Sequence, residues 1–191
     1  MRHERFDTPG PLRLDLSVPA GEIDVRTQEG AETTVDLEPL RGNDASREAI
    51  ESARIQLRDR GDAHELVVDV PGSRGLGGIF SRGSEVRLVV VCPAGAELEA
   101  QGGSADIRAA GRYGSVEARA GSGDVSVGVR PGRRLWVDAS STSGETTSDF
   151  DVGDEPAPGE GEEDGPLVEL RIATMSGDVH VARAAAADLQ Q

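Results

Sequence analysis

Short units that alternate apolar and polar residues recur along the second half of the chain, each next to a Gly-rich turn. The segments GGSADIRA, RYGSVEAR and GSGDVSVG align without gaps, and their apolar residues Ile107, Val116 and Val125 lie nine residues apart. Related units recur as TSGETTS and MSGDVHV. Such a unit is too short to bury its own apolar face, so successive units must stack. The repeat therefore predicts a β-solenoid, a β-helix-like stack of short strands, over residues 94–191.

Longer runs with the same period of two fill residues 1–93 and are separated by turn sequences such as Pro-Ala-Gly. This pattern predicts an antiparallel β-meander. One segment departs from it, because its alanines and Ile50 follow the 3.6-residue spacing of a helix. A cap at Asn43 or Asp44 and this spacing predict one short helix over 44–54. The expected fold is all-β: a first domain of meander and helix, residues 1–93, continuing into the stack of 94–191.

The spacing of the turn motifs also indicates an insertion. The motifs recur about every twenty residues, but 33 residues separate Glu145 from Asp178. That interval contains residues 153–166, and eight acidic residues with no basic residue crowd the stretch from Asp149 to Asp164. Like charges, prolines and glycines leave little apolar surface to offset the entropy of ordering. We expect a disordered acidic insertion at about 150–166.

The alternation within each unit also predicts which side chains form the core. Residues that share the apolar face of a strand point to the same side of the sheet. We expect ten of them to line one continuous core: Ile107, Val116, Val125, Val127, Val137, Val168, Leu170, Ile172, Val179 and Val181.

Charge and composition exclude several functions. The net charge is −15, and no basic stripe is present to bind phosphate, so we expect no nucleic-acid partner. All 20 basic residues are arginine, which excludes a lysine nucleophile or a Walker lysine. The longest apolar run, Leu88 to Cys92, has the length of a strand, so we expect no membrane insertion. The start carries no apolar signal region, which predicts a cytoplasmic protein; a surface location would require a leader that this sequence lacks.

Two chemical interpretations compete with a purely structural role for the turn motifs. Repeated Gly-x-Asp can hold calcium, and Asp106 and Asp124 lie in phase with such a module. Paired acids such as Asp106, Glu117 and Asp124 can also serve a carbohydrate-active β-helix enzyme, a polysaccharide hydrolase or lyase. The alternative is that glycine supplies the turn while Ser or Asp satisfies backbone N–H groups. We favour this alternative and assign no catalytic, cofactor-binding or metal residue and no cofactor.

The cysteine and the histidines show no metal-ligand spacing. Cys92 continues an apolar strand, so we expect a buried side chain, and His180 alternates with two valines and is expected to face solvent. Three apolar residues are candidates for partner contact. Ile79 and Phe80 sit within a Gly-rich stretch, and Trp136 lies on the strand face opposite Leu135 and Val137. Together with open strand edges, they predict a protein partner or self-association.

The segments FDTPGPL, VPAGEIDV and the repeated SGDV resemble a bacterial β-strand-repeat family of unknown function whose members are named "putative adhesin". The resemblance spans roughly residues 5–182. It implies a β-repeat fold and an adhesin-like function, and it implies no catalytic residues. We therefore expect a non-catalytic β-repeat scaffold or interaction protein.

Overall fold

A computed structural model describes residues 1–72, 83–130, 135–150 and 167–184. The prediction of an all-β fold with one short helix is confirmed. In chain order the elements are β1 (Arg2–Asp7), β2 (Leu12–Gln28), β3 (Glu32–Pro39), α1 (Asp44–Ser52), β4 (Arg54–Arg60), β5 (Ala63–Asp69), β6 (Val86–Pro93), β7 (Glu97–Gly111), β8 (Ser115–Ser122), β9 (Val125–Val129), β10 (Leu135–Ser143), β11 (Thr146–Ser148), β12 (Val168–Ser176) and β13 (Val179–Arg183).

All thirteen strands of the described ranges belong to one sheet that is bent into two walls. The first wall runs β4, β5, the first half of β2, the first half of β7, β8, β12 and β10. The second wall runs β1, β3, β6, the second half of β2, the second half of β7, β9, β13 and β11. We call a first-wall strand and the second-wall strand that follows it a rung. The solenoid-like stack predicted from the repeats is thus confirmed.

The walls enclose one apolar core built from alternate residues of every rung. All ten side chains predicted to line it are buried, and the most accessible of them, Val168, is 6% exposed. Leu14 and Leu16 extend this core into the first wall at β2, and Ile23 and Val25 extend it into the second. Period-two alternation therefore identified the inward face correctly in both halves of the chain.

Strand pairing near the N-terminus differs from an antiparallel meander. β2 pairs in parallel with β5, β6 and β7, whereas only the pairs β1–β3, β3–β6 and β4–β5 are antiparallel. The 17 residues of β2 cross the bend and serve both walls. Alternation determines which face of a strand is buried but does not determine which strand pairs with it. An antiparallel meander and a parallel rung therefore fit the same pattern. The division of the chain at residue 93 stays a prediction.

The last two rungs are stacked in the reverse of their chain order. β12 and β13 lie between the β8–β9 rung and the β10–β11 rung, with parallel pairing on both sides. The inward residues Val168, Leu170 and Ile172 of β12 are apolar throughout and suit a covered position. In the β10–β11 rung, β10 is also apolar at the corresponding positions, but β11 places Thr146 and Ser148 opposite two valines of β13. This rung lies at the end of the stack.

The single helix of the described residues forms where the helical spacing predicted it. The side chain of Asn43 accepts a hydrogen bond from the Ser46 N–H at 2.8 Å and caps α1. Ala49 and Ile50 are buried on the inner face of the helix. With nine residues, α1 is far too short to cross a bilayer, and no helix in the described ranges is long and apolar enough to do so.

Candidate interaction surface at the open end of the stack

The acidic residues of the turn motifs form a ladder across the rungs. The Oδ1 atom of Asp106 accepts the N–H of Asp124 at 3.0 Å, and Oδ1 of Asp124 accepts the N–H of Asp178 at 2.8 Å. Oδ1 of Asp178 in turn accepts the N–H of Glu145 at 2.9 Å. Each carboxylate thus satisfies a backbone donor where the chain bends between walls. These hydrogen bonds give the acidic residue of the motif a structural role at the bend.

Glycine in the same motif allows the rungs to approach closely. Gly123 and Gly177 adopt φ values of +129° and +138°, which side chains rarely tolerate. A Cβ atom at Gly177 would lie 2.2 Å from the carbonyl oxygen of Gly123 in the rung beneath. Repetition of Ser-Gly-Asp therefore follows from backbone geometry.

The structure brings only two of the three candidate catalytic acids together. Asp106 and Asp124 are neighbours in the ladder, whereas Glu117 projects from the outer face of β8 and forms an ion pair with Arg119. Within the described ranges, no three His, Cys, Asp or Glu residues are grouped as metal ligands. Cys92 is buried as expected, and burial raises its pKa to about 12. His180 is exposed as expected, and its Nδ1 lies 2.8 Å from the Thr147 hydroxyl.

The β10–β11 rung is open on its outer side. Among the described strands, β10 pairs only with β12 and β11 only with β13. The inward positions of β11 are polar where β13 carries valine: Thr146 and Ser148 stand in register with Val179 and Val181. The Ser141 hydroxyl donates to the Gly177 carbonyl at 2.7 Å. The polar strand β11 ends the apolar stack in the second wall, and among the described strands this rung presents an unpaired edge.

Trp136 and Asp138 lie on the outer face of this edge strand. The guanidinium carbon of Arg171, on β12, lies 5.3 Å from the centroid of the half-buried Trp136 ring. Arg171 is in register with Asp138 and forms an ion pair with Glu169 at 3.2 Å. Trp136 alternates with Leu135 and Val137 and lies on the outer face, and its strand β10 lies at the open edge. The other two predicted contact residues, Ile79 and Phe80, lie outside the described residues, as does most of the acidic insertion.

Charged side chains cover the edges at the opposite end of the stack. On β1, Arg5 lies 3.4 Å from Glu32 and His3 lies 2.6 Å from Asp36. On β4, Arg54 lies 3.3 Å from Asp69, and two further arginines pair with Glu65. Charged edge strands resist pairing with other chains. β10 carries one charge, Asp138, so the two ends differ in this protection.

A cleft of about 430 Å³ lies at the start of the first wall. Arg60 donates to the Glu65 carboxylate at 2.8 Å and lowers the pKa of that group. Arg13 is bound to Glu99 at 2.8 Å, and His64 lies 2.8 Å from Asp59. Within the cleft, Arg60 and Glu65 therefore pair with each other, whereas Arg13 and His64 pair with acids outside its lining.

Sequence reasoning did not identify the open rung, because it assumed that units stack in chain order. A signal was present. Residues 176–181 match residues 122–127 at five of six positions, whereas the unit at 143–148 replaces both core valines with Thr and Ser. The most similar units are the spatial neighbours, and the most divergent unit lies at the end.

A solved bacterial structure shares this architecture. The fold is similar to the crystal structure of a "putative cell adhesion protein" from Clostridium sporogenes, with a TM-score of 0.59 and 12% identity over 96% of this chain and 99% of that one. A "putative adhesin" from Parabacteroides merdae gives a TM-score of 0.36 and 11% identity over 94% of this chain and 77% of that one. No curated protein matches the chain. A family model described as Toastrack DUF4097 matches residues 12–182, which confirms the predicted resemblance. The chain therefore belongs to the Toastrack DUF4097 family.

Proposed function

We propose that this chain is a non-catalytic, adhesin-like β-repeat scaffold that binds a partner protein through the open edge of its β10–β11 rung. The observation that carries the proposal is the one-sided pairing of β10 with β12 and of β11 with β13 within the described part of the chain. An open strand offers a row of backbone donors and acceptors that an extended segment of another protein can pair with. The rest of the stack holds this edge rigid.

The contrast between the two ends of the stack supports this choice of edge. At β1 and β4, cross-strand ion pairs occupy the outer face, whereas β10 carries Ala, Ser and Thr after Asp138. Small uncharged side chains leave room for a neighbouring strand. Trp136 adds aromatic area at the same edge, and aromatic residues are enriched where proteins bind one another. Ile79 and Phe80 remain a second proposed contact on sequence grounds.

The enzyme and calcium alternatives have weaker support. Glu117 is separated from the acid ladder and is held by Arg119, so the three candidate acids do not converge. The ladder carboxylates already accept backbone N–H groups. Melting in excess calcium and in EDTA distinguishes the calcium alternative, because a bound ion stabilises the native state by mass action. We expect the two melting temperatures to agree within about 3 °C. We also propose a cytoplasmic location and no nucleic-acid partner.

A matched pair of variants tests the edge. Ser140→Arg places a charge on β10, and Ser115→Arg places the same charge on β8, a covered strand of the same wall. Partners captured from the native host by the wild-type protein should be lost with Ser140→Arg and retained with Ser115→Arg. Hydrogen exchange should show that the captured partner protects β10 and β11 amides. Protection confined to other strands, or equal capture by both variants, would overturn the proposal.

A further inference from the structure

We infer that the open β10 edge selects a cationic extended segment, one that carries an arginine in register with Asp138. This inference rests on the proposed edge function and adds the chemistry of the partner. It combines three features of the same rung: an open backbone edge, an excess of negative charge, and an arginine contact already formed on the covered side of β10.

The charge of the rung favours a basic partner. Residues 135–150 contain three acids, Asp138, Glu145 and Asp149, and no basic residue. Neither Asp138 nor Glu145 forms an ion pair with a described residue, although many outer-face acids of the inner strands are paired with arginine. Cross-strand pairs of opposite charge stabilise neighbouring strands, and like charges destabilise them. A cationic strand therefore gains most from this edge.

The strand on the covered side of β10 provides the geometric template. Arg171 of β12 stands in register with Asp138, and its guanidinium carbon lies 5.3 Å from the centroid of the Trp136 ring. A strand added on the open side lies at the same spacing from β10 as β12 does, about 4.8 Å. An arginine at the equivalent register then reaches Asp138 from that side. On the covered side, the arginine at this register contacts the Trp136 ring and pairs with Glu169, so the Asp138 carboxylate stays available to an arginine of the partner.

A second copy of this chain fits the edge less well. Pairing two β10–β11 rungs would bring two sets of three acids together, in chains that each carry a net charge of −15. Unfavourable charge juxtaposition suppresses association with the wrong partner. The arginines on the opposite edge, such as Arg54, are paired with acids of β5. Self-association is therefore an outcome to test and is not the expected one.

Three peptide probes test the inference with the full-length protein. Each has eight residues and alternates threonine with arginine, glutamate or serine. Trp136 is the only tryptophan of the chain, so its fluorescence reports occupancy of the edge. We expect the arginine peptide to bind most tightly, with an affinity that falls as salt is raised, because screening weakens exposed charge pairs. A central proline in the same peptide should abolish binding, because proline cannot donate to a strand ladder.

Two charge reversals locate the contact. Glu117, Arg171 and Asp138 stand in one row across β8, β12 and β10, so Glu117→Arg makes the same change as Asp138→Arg two strands from the edge. Asp138→Arg should lower the affinity for the arginine peptide by about tenfold, since an attractive cross-strand pair becomes repulsive. Glu117→Arg should lower this affinity by less than about threefold, since that site is remote from the added strand. Circular dichroism confirms that both variants fold.

The outcomes separate this inference from the edge function. If the serine and arginine peptides bind equally well and both perturb Trp136, the edge binds strands but the charge selection is wrong. If no peptide binds and sedimentation shows a dimer that Ser140→Arg dissociates, the edge serves a second copy and the cationic partner is wrong. If no peptide binds and the chain stays monomeric, both the inference and the edge function are overturned. Tight arginine-peptide binding that is weakened only by Asp138→Arg supports both.

Discussion

The Oδ1 atom of Asp124 accepts the backbone N–H of Asp178, 54 residues further along the chain, at 2.8 Å. The N–H of Asp124 itself donates to Oδ1 of Asp106 at 3.0 Å, so one residue links three rungs. Backbone donors at a bend fall outside the regular strand ladder and need another acceptor. The carboxylate ladder meets this need at each level of the stack, and it explains why the Ser-Gly-Asp sequence recurs.

The first prediction concerns this ladder. Asp124→Ala leaves the Asp178 N–H without its acceptor and should lower the free energy of unfolding by about 1 kcal/mol, as measured by urea denaturation. Asp124→Asn keeps an acceptor oxygen and should lose less than half as much. Asp138→Ala, at an exposed carboxylate with no ion pair among described residues, is the control and should change stability by less than about 0.5 kcal/mol. If the Ala and Asn variants lost equal free energy of unfolding, the charge of Asp124 rather than its hydrogen bond would stabilise the bend.

The second prediction separates backbone strain from close approach. Gly177 and Gly30 have similar φ values of +138° and +129°, but a Cβ atom added at Gly177 would lie 2.2 Å from a backbone oxygen, whereas one added at Gly30 would meet open space. Gly30→Ala should cost about 1 kcal/mol through its positive φ alone. Gly177→Ala should cost at least about 2 kcal/mol more, because the β8–β9 and β12–β13 rungs must separate. Thermal and urea unfolding compare the two variants, and similar losses would exclude a steric requirement at the bend.

Period-two alternation predicted the core because burial acts on side chains one strand at a time. Every residue selected by that pattern, from Ile107 to Val181, is buried. Strand pairing was less predictable, because an alternating strand presents the same buried face to any neighbour. The parallel pairing of β2 with β7 joins residues about 84 positions apart, and no local propensity encodes such a pair.

The third prediction tests the core with adjacent residues of one strand. Val125 is fully buried, whereas Ser126 faces outward on β9. Val125→Asp should destabilise the protein by several kcal/mol, because it places an unpaired charge in an apolar interior. Ser126→Asp adds the same charge to the outer face and should change stability by less than about 1 kcal/mol. Equal effects in urea denaturation would contradict the two-walled core.

The fourth prediction follows from Asp15 on the outer face of β2. Partial burial, together with the nearby Glu99 carboxylate, raises the pKa of Asp15 above its ordinary value. The folded state therefore binds this proton more tightly than the unfolded state, and stability falls as pH rises through the folded pKa. Asp15→Asn should be more stable than wild type at pH 7, by up to about 0.5 kcal/mol.

That advantage should shrink below about pH 4, where Asp15 becomes protonated in both states. Urea denaturation across this pH range measures it. Asp138→Asn removes the same formal charge from an exposed edge position and corrects for the change in net charge. An Asp15→Asn advantage that does not exceed that of Asp138→Asn, or that persists undiminished at low pH, would contradict the prediction.

The candidate site was partly predictable. The outward position of Trp136 followed from its place between Leu135 and Val137, and an open edge is a general property of stacked strands. Which strand lies at the edge did not follow, because the stack reverses the order of its last two rungs. The physical reason lies in β11, where Thr146 and Ser148 occupy inward positions that only an end rung tolerates.

The last prediction concerns the acidic stretch between the reversed rungs. β11 ends at Ser148 and β12 begins at Val168, and their rungs are spatial neighbours. β7 and β8 are also neighbours, and only residues 112–114 connect them, so a long connection is unnecessary. Replacing residues 151–165 with a short Gly-Ser turn should change stability by less than about 1 kcal/mol, because loop entropy varies slowly with length.

The replacement must spare Phe150, whose ring lies 4.9 Å from the guanidinium carbon of Arg183 and packs against the core. It removes seven of the 35 acidic residues, so the remaining chain should also unfold with a weaker dependence on salt. In the native protein, mutual repulsion among these acids predicts that a protease cuts this stretch first. A variant that does not fold, or a native chain that resists cleavage between 151 and 165, would show that the acidic stretch is an integral part of the stack.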